Sequence, residues 1–354
     1  MYTLITDADA FSKLTETAQI LKQHQSSFFM NAAWYQNFID TVISKDGDSC
    51  VFIYKNNGDP DNFAMLPLTL KQGNQPGSLQ SLTNYYSPVY GFIPSKPEAS
   101  VLQACFKAIA DLKRNWDTLE LRPLAYEDVF FAKSLLNPLK TPSIPFFCFG
   151  NWYLPIEGRS FADYFASLSS QVKNTVSRKT KKFLNTPTAE IEILTQLSDV
   201  PTAIQAFEQV YQSSWKQPEP YPEFMPGLIR IAAEQGCLRM GVASLDGVPI
   251  AAQLWIVADN AAYIFKLAYD EAYKSYSAGS VLTAKLMEQV IDVDKVEVVD
   301  YLCGDDSYKK DWMSHRRERW GLLVFNLANG RGIMRFCQEM PKYWLKTLIN
   351  KLKN

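Results

Sequence analysis

Two short stretches carry residues whose types and spacing could do chemistry. The first is Ser277-Ala278-Gly279-Ser280, a small-residue loop that opens directly into a helical run with Val281, Leu282, Leu286 and Val290 on one face. The first N–H groups of a helix lack partners inside it and point outward with partial positive charge. Small side chains in front of them let a phosphate come close enough to take several at once. The plainer alternative is that Gly279 only ends a turn and Ser277 is an ordinary N-cap. The second stretch is Cys303-Gly304-Asp305-Asp306-Ser307-Tyr308-Lys309, at the end of an expected strand over Val296 to Leu302 and the start of a helix near Ser307. A carboxylate and a phenol at a strand end are an acid–base combination, with Asp305 as base or orienting group and Tyr308 as proton donor. The alternatives are that Asp305 or Asp306 caps the helix, and that Tyr308 packs on Trp312.

The elements that must position these groups are legible nearby. Leu238 to Ala243 and Ile250 to Val257 alternate, Ala262 to Ala268 is apolar, and Asp246-Gly247 and Asp259-Asn260 separate them. That pattern predicts three strands joined by tight hairpin turns. Upstream lie a strand over Ala189 to Leu194, a helix over Val200 to Trp215, a loop holding Pro218, Pro220, Pro222 and Pro226, and a short helix to Gln235. Ser160 heads a helix with Phe161, Tyr164, Phe165 and Leu168 on one face. The next helix carries Lys173, Arg178, Lys179, Lys181 and Lys182 with no acid between them, either a solvated face or a site for an anionic partner.

Residues 1–150 predict a first α/β domain: a helix over Asp9 to His24, paired strands at Ser49 to Tyr54 and Asn62 to Leu70 across Asn56-Asn57-Gly58-Asp59, an irregular aromatic stretch over Leu79 to Phe92, a helix over Ala99 to Asn115 and a strand over Thr118 to Arg122. Four prolines between Leu136 and Pro155, among aromatics, predict a connection or edge strand and a domain boundary.

The runs DGVPIAAQL, YIFKLAYDEAYKSYSAGSVL and VVDYLCGDDSYKKDW, in this order and spacing, resemble the GCN5-related N-acetyltransferase (GNAT) superfamily in its BioF2-like, CelD (BcsL)-type branch, related to the Fem-like transferases. Around the expected pyrophosphate loop the positions read Tyr276, Ser277, Ala278, Gly279, Ser280, Val281; only the central glycine of the superfamily pattern is kept, and Ala278 stands where the branch has proline. The resemblance implies an α/β (α+β) fold of tandem GNAT-like domains, each a mixed, mostly antiparallel splayed sheet flanked by helices. Residues 1–150 would be a degenerate copy, 151–330 the acyl-CoA-binding domain, and 331–354 a basic amphipathic helix. It implies acetyl-CoA or another acyl-CoA as co-substrate, gripped by Lys266, Leu267 and Ala268 on a strand and by Ser277, Ala278, Gly279 and Ser280. It implies transfer to an amine or hydroxyl of a small-molecule or envelope-saccharide acceptor, with Trp215, Lys216 and Tyr301 against that acceptor and Tyr308 protonating the departing thiolate.

Composition bounds the alternatives. The 354 residues suffice for two cores, and 47% hydrophobic with 21% charged residues is ordinary for a globular protein. A net charge of -1 argues against a dedicated nucleic-acid binder. Six spaced cysteines without a CxxC pair and only His24 and His315 argue against a metal centre and against a Ser or Cys triad. The charged opening MYTLITDADAFSKL and the lack of an 18-residue apolar run predict a cytoplasmic protein with reduced thiols. Trp344, Leu345, Leu348, Ile349 and Leu352 recur at helical spacing among lysines, so this helix either folds back on its domain or makes peripheral membrane contact. Two further readings stay open. One is a Fem-like transferase using aminoacyl-tRNA, suggested by the basic 173–182 helix and opposed by the lack of a long charged coiled-coil insertion. The other is a GNAT-shaped binding module without activity.

Overall fold

The computed structural model describes residues 3–6, 27–56, 62–72, 77–111 and 116–353. The strands, in chain order, are β1 (Thr3–Thr6), β2 (Ser49–Asn56), β3 (Phe63–Leu70), β4 (Ser78–Ser81), β5 (Thr118–Ala125), β6 (Ser143–Pro155), β7 (Ala189–Leu194), β8 (Leu238–Leu245), β9 (Val248–Ala258), β10 (Ala261–Tyr269), β11 (Val298–Asp300) and β12 (His315–Phe325). The helices used below are α1 (Ala32–Phe38), α2 (Ala99–Asp111), α3 (Tyr126–Leu136), α4 (Phe161–Ser167), α5 (Ser170–Leu184), α6 (Val200–Gln212), α7 (Phe224–Glu234), α8 (Ala278–Glu288) and α9 (Gly330–Lys353). The chain divides into two compact units, Met1–Phe149 with Glu318–Asn354, and Gly150–Arg317.

Each unit has the same strand plan. In the first, β1 to β4 form an antiparallel run, β4 pairs parallel with β5, and β5 pairs antiparallel with β12. In the second, β7 to β10 form the antiparallel run, β10 pairs parallel with β11, and β11 pairs antiparallel with the Tyr153–Pro155 end of β6. The expected mixed, mostly antiparallel sheets flanked by helices are therefore present twice. In each unit the sixth strand comes from a distant part of the chain. For this reason Glu318–Asn354 belong with the first unit, whereas the sequence reading joined residues up to 330 to the second domain and set 331–354 apart.

The hairpin turns form as their residues dictate: Asp246 and Gly247 have φ of 51° and 73°, and Asp259 and Asn260 have φ of 52° and 57°. These left-handed pairs match the twist of the strands they join. The Ser160 side chain and Asp163 close a capping box at the start of α4. In the second unit Trp255, Leu282, Leu286, Val290 and Val299 are fully buried in one core. The helix α8 comes close to the sheet at Gly241, where an added Cβ would lie 2.8 Å from Leu286 Cδ1. The core of the first unit holds Phe92, Phe106, Leu121 and Val129.

Several expectations are corrected. The proline-aromatic stretch, expected as a connection or an edge strand, forms a 13-residue strand, β6, with Pro145 near its start and Pro155 at its end. The stretch over Leu79 to Phe92 begins as strand β4. The strand expected over Val296 to Leu302 has only three residues, and a 3-10 turn (Ser307–Asp311) replaces the expected helix. Strand β12, whose charged start hides its pattern, was not anticipated. The expected helix over Asp9 to His24, the centre of the Asn56–Asp59 turn and the end of the Ala99–Asn115 helix lie outside the described residues.

Candidate active site

The centre of the second unit is a parting of two strands. Parallel pairing of β10 with β11 covers only Ala261 to Tyr263 against Val298 to Asp300. Beyond it β10 continues to Tyr269 with a bulge between Ile264 and Lys266, while Tyr301 N donates to Trp152 O, 3.0 Å away. The bulge adds local twist, which carries the strand out of plane. The opening leads into a cavity of about 650 Å³, of the size that holds small-molecule ligands.

The glycine loop lies on the same cavity. Helix α8 begins after Ser277, which adopts a left-handed conformation (φ 53°) and caps no amide with its side chain. Ser280 N and Val281 N turn back to Ser277 O, so the amides that the Ser277 side chain leaves available to an anion are those of Ala278 and Gly279. Behind it, the buried Gln253 Nε2 donates to Gly279 O (2.8 Å) and Thr283 Oγ1 (2.9 Å), and its Oε1 accepts from Trp255 Nε1 (3.0 Å). That network ties β9 to the first turn of α8. The basic helix α5 passes alongside: Lys179 Nζ donates to Ser275 O (2.6 Å), and Lys182 Nζ lies 4.7 Å from the centre of the Tyr276 ring.

The far wall follows from β11. Asp300, 1% exposed, accepts from Asn151 Nδ2 (2.6 Å) and Leu302 N (2.7 Å) and pairs with Arg317, whose Nε donates to Asn151 Oδ1 (2.7 Å). Leu302 and Gly304 have φ of 56° and 101°, so the chain doubles back sharply. The buried Lys309 holds this turn: its Nζ donates to Cys303 O, lies 3.4 Å from Gly304 O and pairs with Asp306 at 3.3 Å. Asp300→Ala would leave buried donors unmatched. It should lower unfolding free energy by about 3 kcal/mol. Urea denaturation checks this; a loss below about 1 kcal/mol would show that the network does not hold the turn.

Of the residues singled out from sequence, Trp215, Lys216, Leu267, Ala268, Gly279, Ser280, Tyr301 and Tyr308 line the cavity. Tyr301 and Tyr308 meet edge-to-face with ring centres 5.8 Å apart, and Trp215 packs on Tyr269 at 4.6 Å. Burial, aided by Asp306, pushes the Tyr308 hydroxyl up to about 12. The other four do not line it. Asp305 is locked with Arg316, Nη2 to Oδ2 at 2.7 Å, and accepts from Trp152 Nε1 (2.7 Å). The Arg316 hydrogen bond holds its carboxyl below the usual range, so it is poorly suited as a base. Lys266 Nζ instead pairs with Glu219 Oε1 at 2.7 Å, Ala278 is buried in the core, and Ser277 shapes the helix start through its backbone.

Sequence reasoning missed Glu219, Gln253 and Thr283. Glu219 lies among prolines in a loop without periodicity, and Gln253 and Thr283 look like surface polar residues until β9 and α8 pack together. A second consequence concerns Lys216. Burial first, then the positive charge of Lys266, lowers its ammonium to about 8 despite Glu219 nearby. It is the cavity-lining group most readily neutralised near physiological pH.

A comparison with family models matches residues 170–310 to the Acetyltransferase (GNAT) domain. Residues 170–310 form a GNAT domain. The matched segment holds α8, the glycine loop and the parting of β10 from β11. Over nearly the whole chain, the fold is similar to that of FemX, with a TM-score of 0.60 at 10% identity over 88% of this chain and 96% of that one. It is also similar to the C-terminal domain of a putative lysylphosphatidylglycerol synthetase from Agrobacterium fabrum, with a TM-score of 0.54 at 11% identity over 92% and 96% of the two chains. L-PGS from Bacillus licheniformis gives 0.53 at 10% identity over 90% and 93%. No curated protein matches the chain in sequence. Among the described residues no group of three or more His, Cys, Asp or Glu side chains could hold a metal ion, and no helix is long and apolar enough to cross a membrane.

Proposed function

We propose that the GNAT domain transfers an acyl group from acyl-CoA to an amine or hydroxyl. The observation that carries this reading is the meeting of two features on one cavity: the uncapped start of α8 and the parting of β10 from β11. Gly279 and Ser280, which line the cavity, and the backbone amide of Ala278 at the helix start would hold the pyrophosphate, and Leu267 and Ala268 would flank the pantetheine. When bound, the thioester supplies an acyl carbon open to nucleophilic attack.

The chain's own groups then divide the work. Above pH about 8 a neutral Lys216 accepts the proton that an attacking amine sheds as its nitrogen bonds to the acyl carbon. As the carbon–sulfur bond breaks, Tyr308 donates a hydrogen bond to the departing sulfur. With its hydroxyl at about 12, Tyr308 remains protonated and steadies the thiolate instead of giving up its proton. The thiolate is left to solvent.

This assignment sets a pH profile. Deprotonation activates Lys216, so kcat/KM should rise with pH through an inflection near 8. Lys216→Met should remove that inflection and lower the plateau; an unchanged profile would take Lys216 out of the reaction. Release of the CoA thiol, followed with a thiol reagent and a panel of amines and alcohols, tests the reaction itself. No release with any acceptor, despite acetyl-CoA binding, would favour a binding module.

A Fem-like reading, in which aminoacyl-tRNA replaces acyl-CoA, is supported by the FemX similarity over 88% of the chain and by the basic helix α5 beside the loop. A gel shift with charged tRNA, in the absence of measurable acetyl-CoA binding, would favour it. The BioF2-like, CelD-type assignment and a saccharide acceptor remain part of the proposal on the motif resemblance alone.

A further inference from the structure

Helix α9 in the first unit is amphipathic twice over. One side, Phe336, Met340, Tyr343 and Thr347, is partly buried against its own unit, with Phe336 packed edge-to-face on Phe325 at 5.6 Å. The opposite side is exposed and apolar. Ile333, Met334, Trp344, Leu345, Leu348 and Ile349 are 46%, 52%, 62%, 60%, 56% and 42% exposed. At 3.6 residues per turn these six fall on one side of the helix in two patches, Ile333–Met334 and Trp344–Ile349, with the exposed Cys337, Gln338 and Pro341 between them. Isolated apolar side chains on a surface need no explanation, but six on one side of a helix, four of them within Trp344–Ile349, do.

Charge identifies what covers this side. Along the border between it and the buried side run Arg331, Arg335, Lys342 and Lys346, all exposed. Glu339 pairs with Lys342, and from Met340 to Asn354 the sequence has four lysines and no acid. A solvent-facing helix of a soluble assembly would alternate charge signs; a cationic border beside an apolar face complements an anionic lipid surface, with lysines at the headgroups and the tryptophan and leucines among the upper acyl carbons. Lys342 and Lys346 also line the mouth of a cavity of about 810 Å³ walled by Ile144, Phe146, Phe147 and Trp320.

We propose that α9 docks the protein on anionic lipid surfaces, lying in the headgroup plane and not crossing it. This is independent of the transfer chemistry assigned to the second unit. The test is sedimentation of the full chain with phosphatidylglycerol–phosphatidylcholine vesicles and with phosphatidylcholine vesicles alone, at low and high salt. Binding is expected only with the anionic vesicles, weakening as salt rises. Trp344→Glu with Leu348→Glu should reduce it at least about tenfold, and Lys342→Glu with Lys346→Glu should do the same. All four side chains are exposed, so the melting temperature should hold. Failure to bind anionic vesicles, or binding by either double variant at the level of the parent, would overturn the proposal. So would a concentration-dependent dimer dispersed by Trp344→Glu, which would give the apolar side to a second copy of the chain.

Discussion

Gly279→Trp is expected to lower the affinity for acetyl-CoA by on the order of 100-fold or more, enough to abolish turnover at ordinary substrate concentrations. The argument is steric. Gly279 lines the cavity at the first turn of α8, and a Cβ built there would touch only Tyr269, at an ordinary 3.5 Å. Its backbone is not in the left-handed region, so a larger residue costs no strain and the protein should fold normally. An indole would instead project into the space where the anion meets the helix amides. Gly279→Ala is the matched control, expected to bind within about threefold of the parent because a methyl group fits. Isothermal titration with acetyl-CoA reads both. Undiminished binding by the tryptophan variant, with an unchanged melting temperature, would move the nucleotide away from this loop and leave the proposed function without its anchor.

Tyr308→Phe should lower kcat about 100-fold with little change in KM, because the hydroxyl matters only as charge gathers on the departing sulfur. Phenylalanine keeps the edge-to-face contact with Tyr301, so the cavity wall should stand. Tyr308 shares the cavity with Lys216, and partial burial beside Asp306 keeps its hydroxyl protonated although the side chain is 42% exposed. Steady-state kinetics with a thiol readout measures the effect. Equal kcat in parent and variant would reduce Tyr308 to a packing residue. A matched loss in kcat/KM with a raised KM would make it a binding group instead.

Much of the second unit was legible in the residues. Asp246-Gly247 and Asp259-Asn260 can hold positive φ, and the runs they join alternate, so β8, β9 and β10 follow from local chemistry. The glycine loop and the helix after it are likewise local, with Leu282 and Leu286 on the inner face. The resemblance carried by the three motifs led to the family, and it depends on their order and spacing along the chain.

The site could not be read to the same depth. Asp305 and Tyr308 lie three residues apart, and sequence alone offers them equally as catalytic groups. Only the fold brings Arg316 from β12 and Trp152 from β6 onto Asp305, taking it out of proton transfer. Likewise Lys216 and Lys266 are both lysines beside aromatics, but Glu219 reaches Lys266 and leaves Lys216 to be depressed by burial and a like charge. The sequence by itself determined β8, β9 and β10, the hairpin turns that join them and the helix start at α8, because those depend on neighbours along the chain. The tertiary structure decided which strands close each sheet, where β10 and β11 part, and which ionisable groups are neutralised by partners, because those depend on residues that are not neighbours along the chain: Trp152 and Asp305 are 153 positions apart, Glu219 and Lys266 are 47.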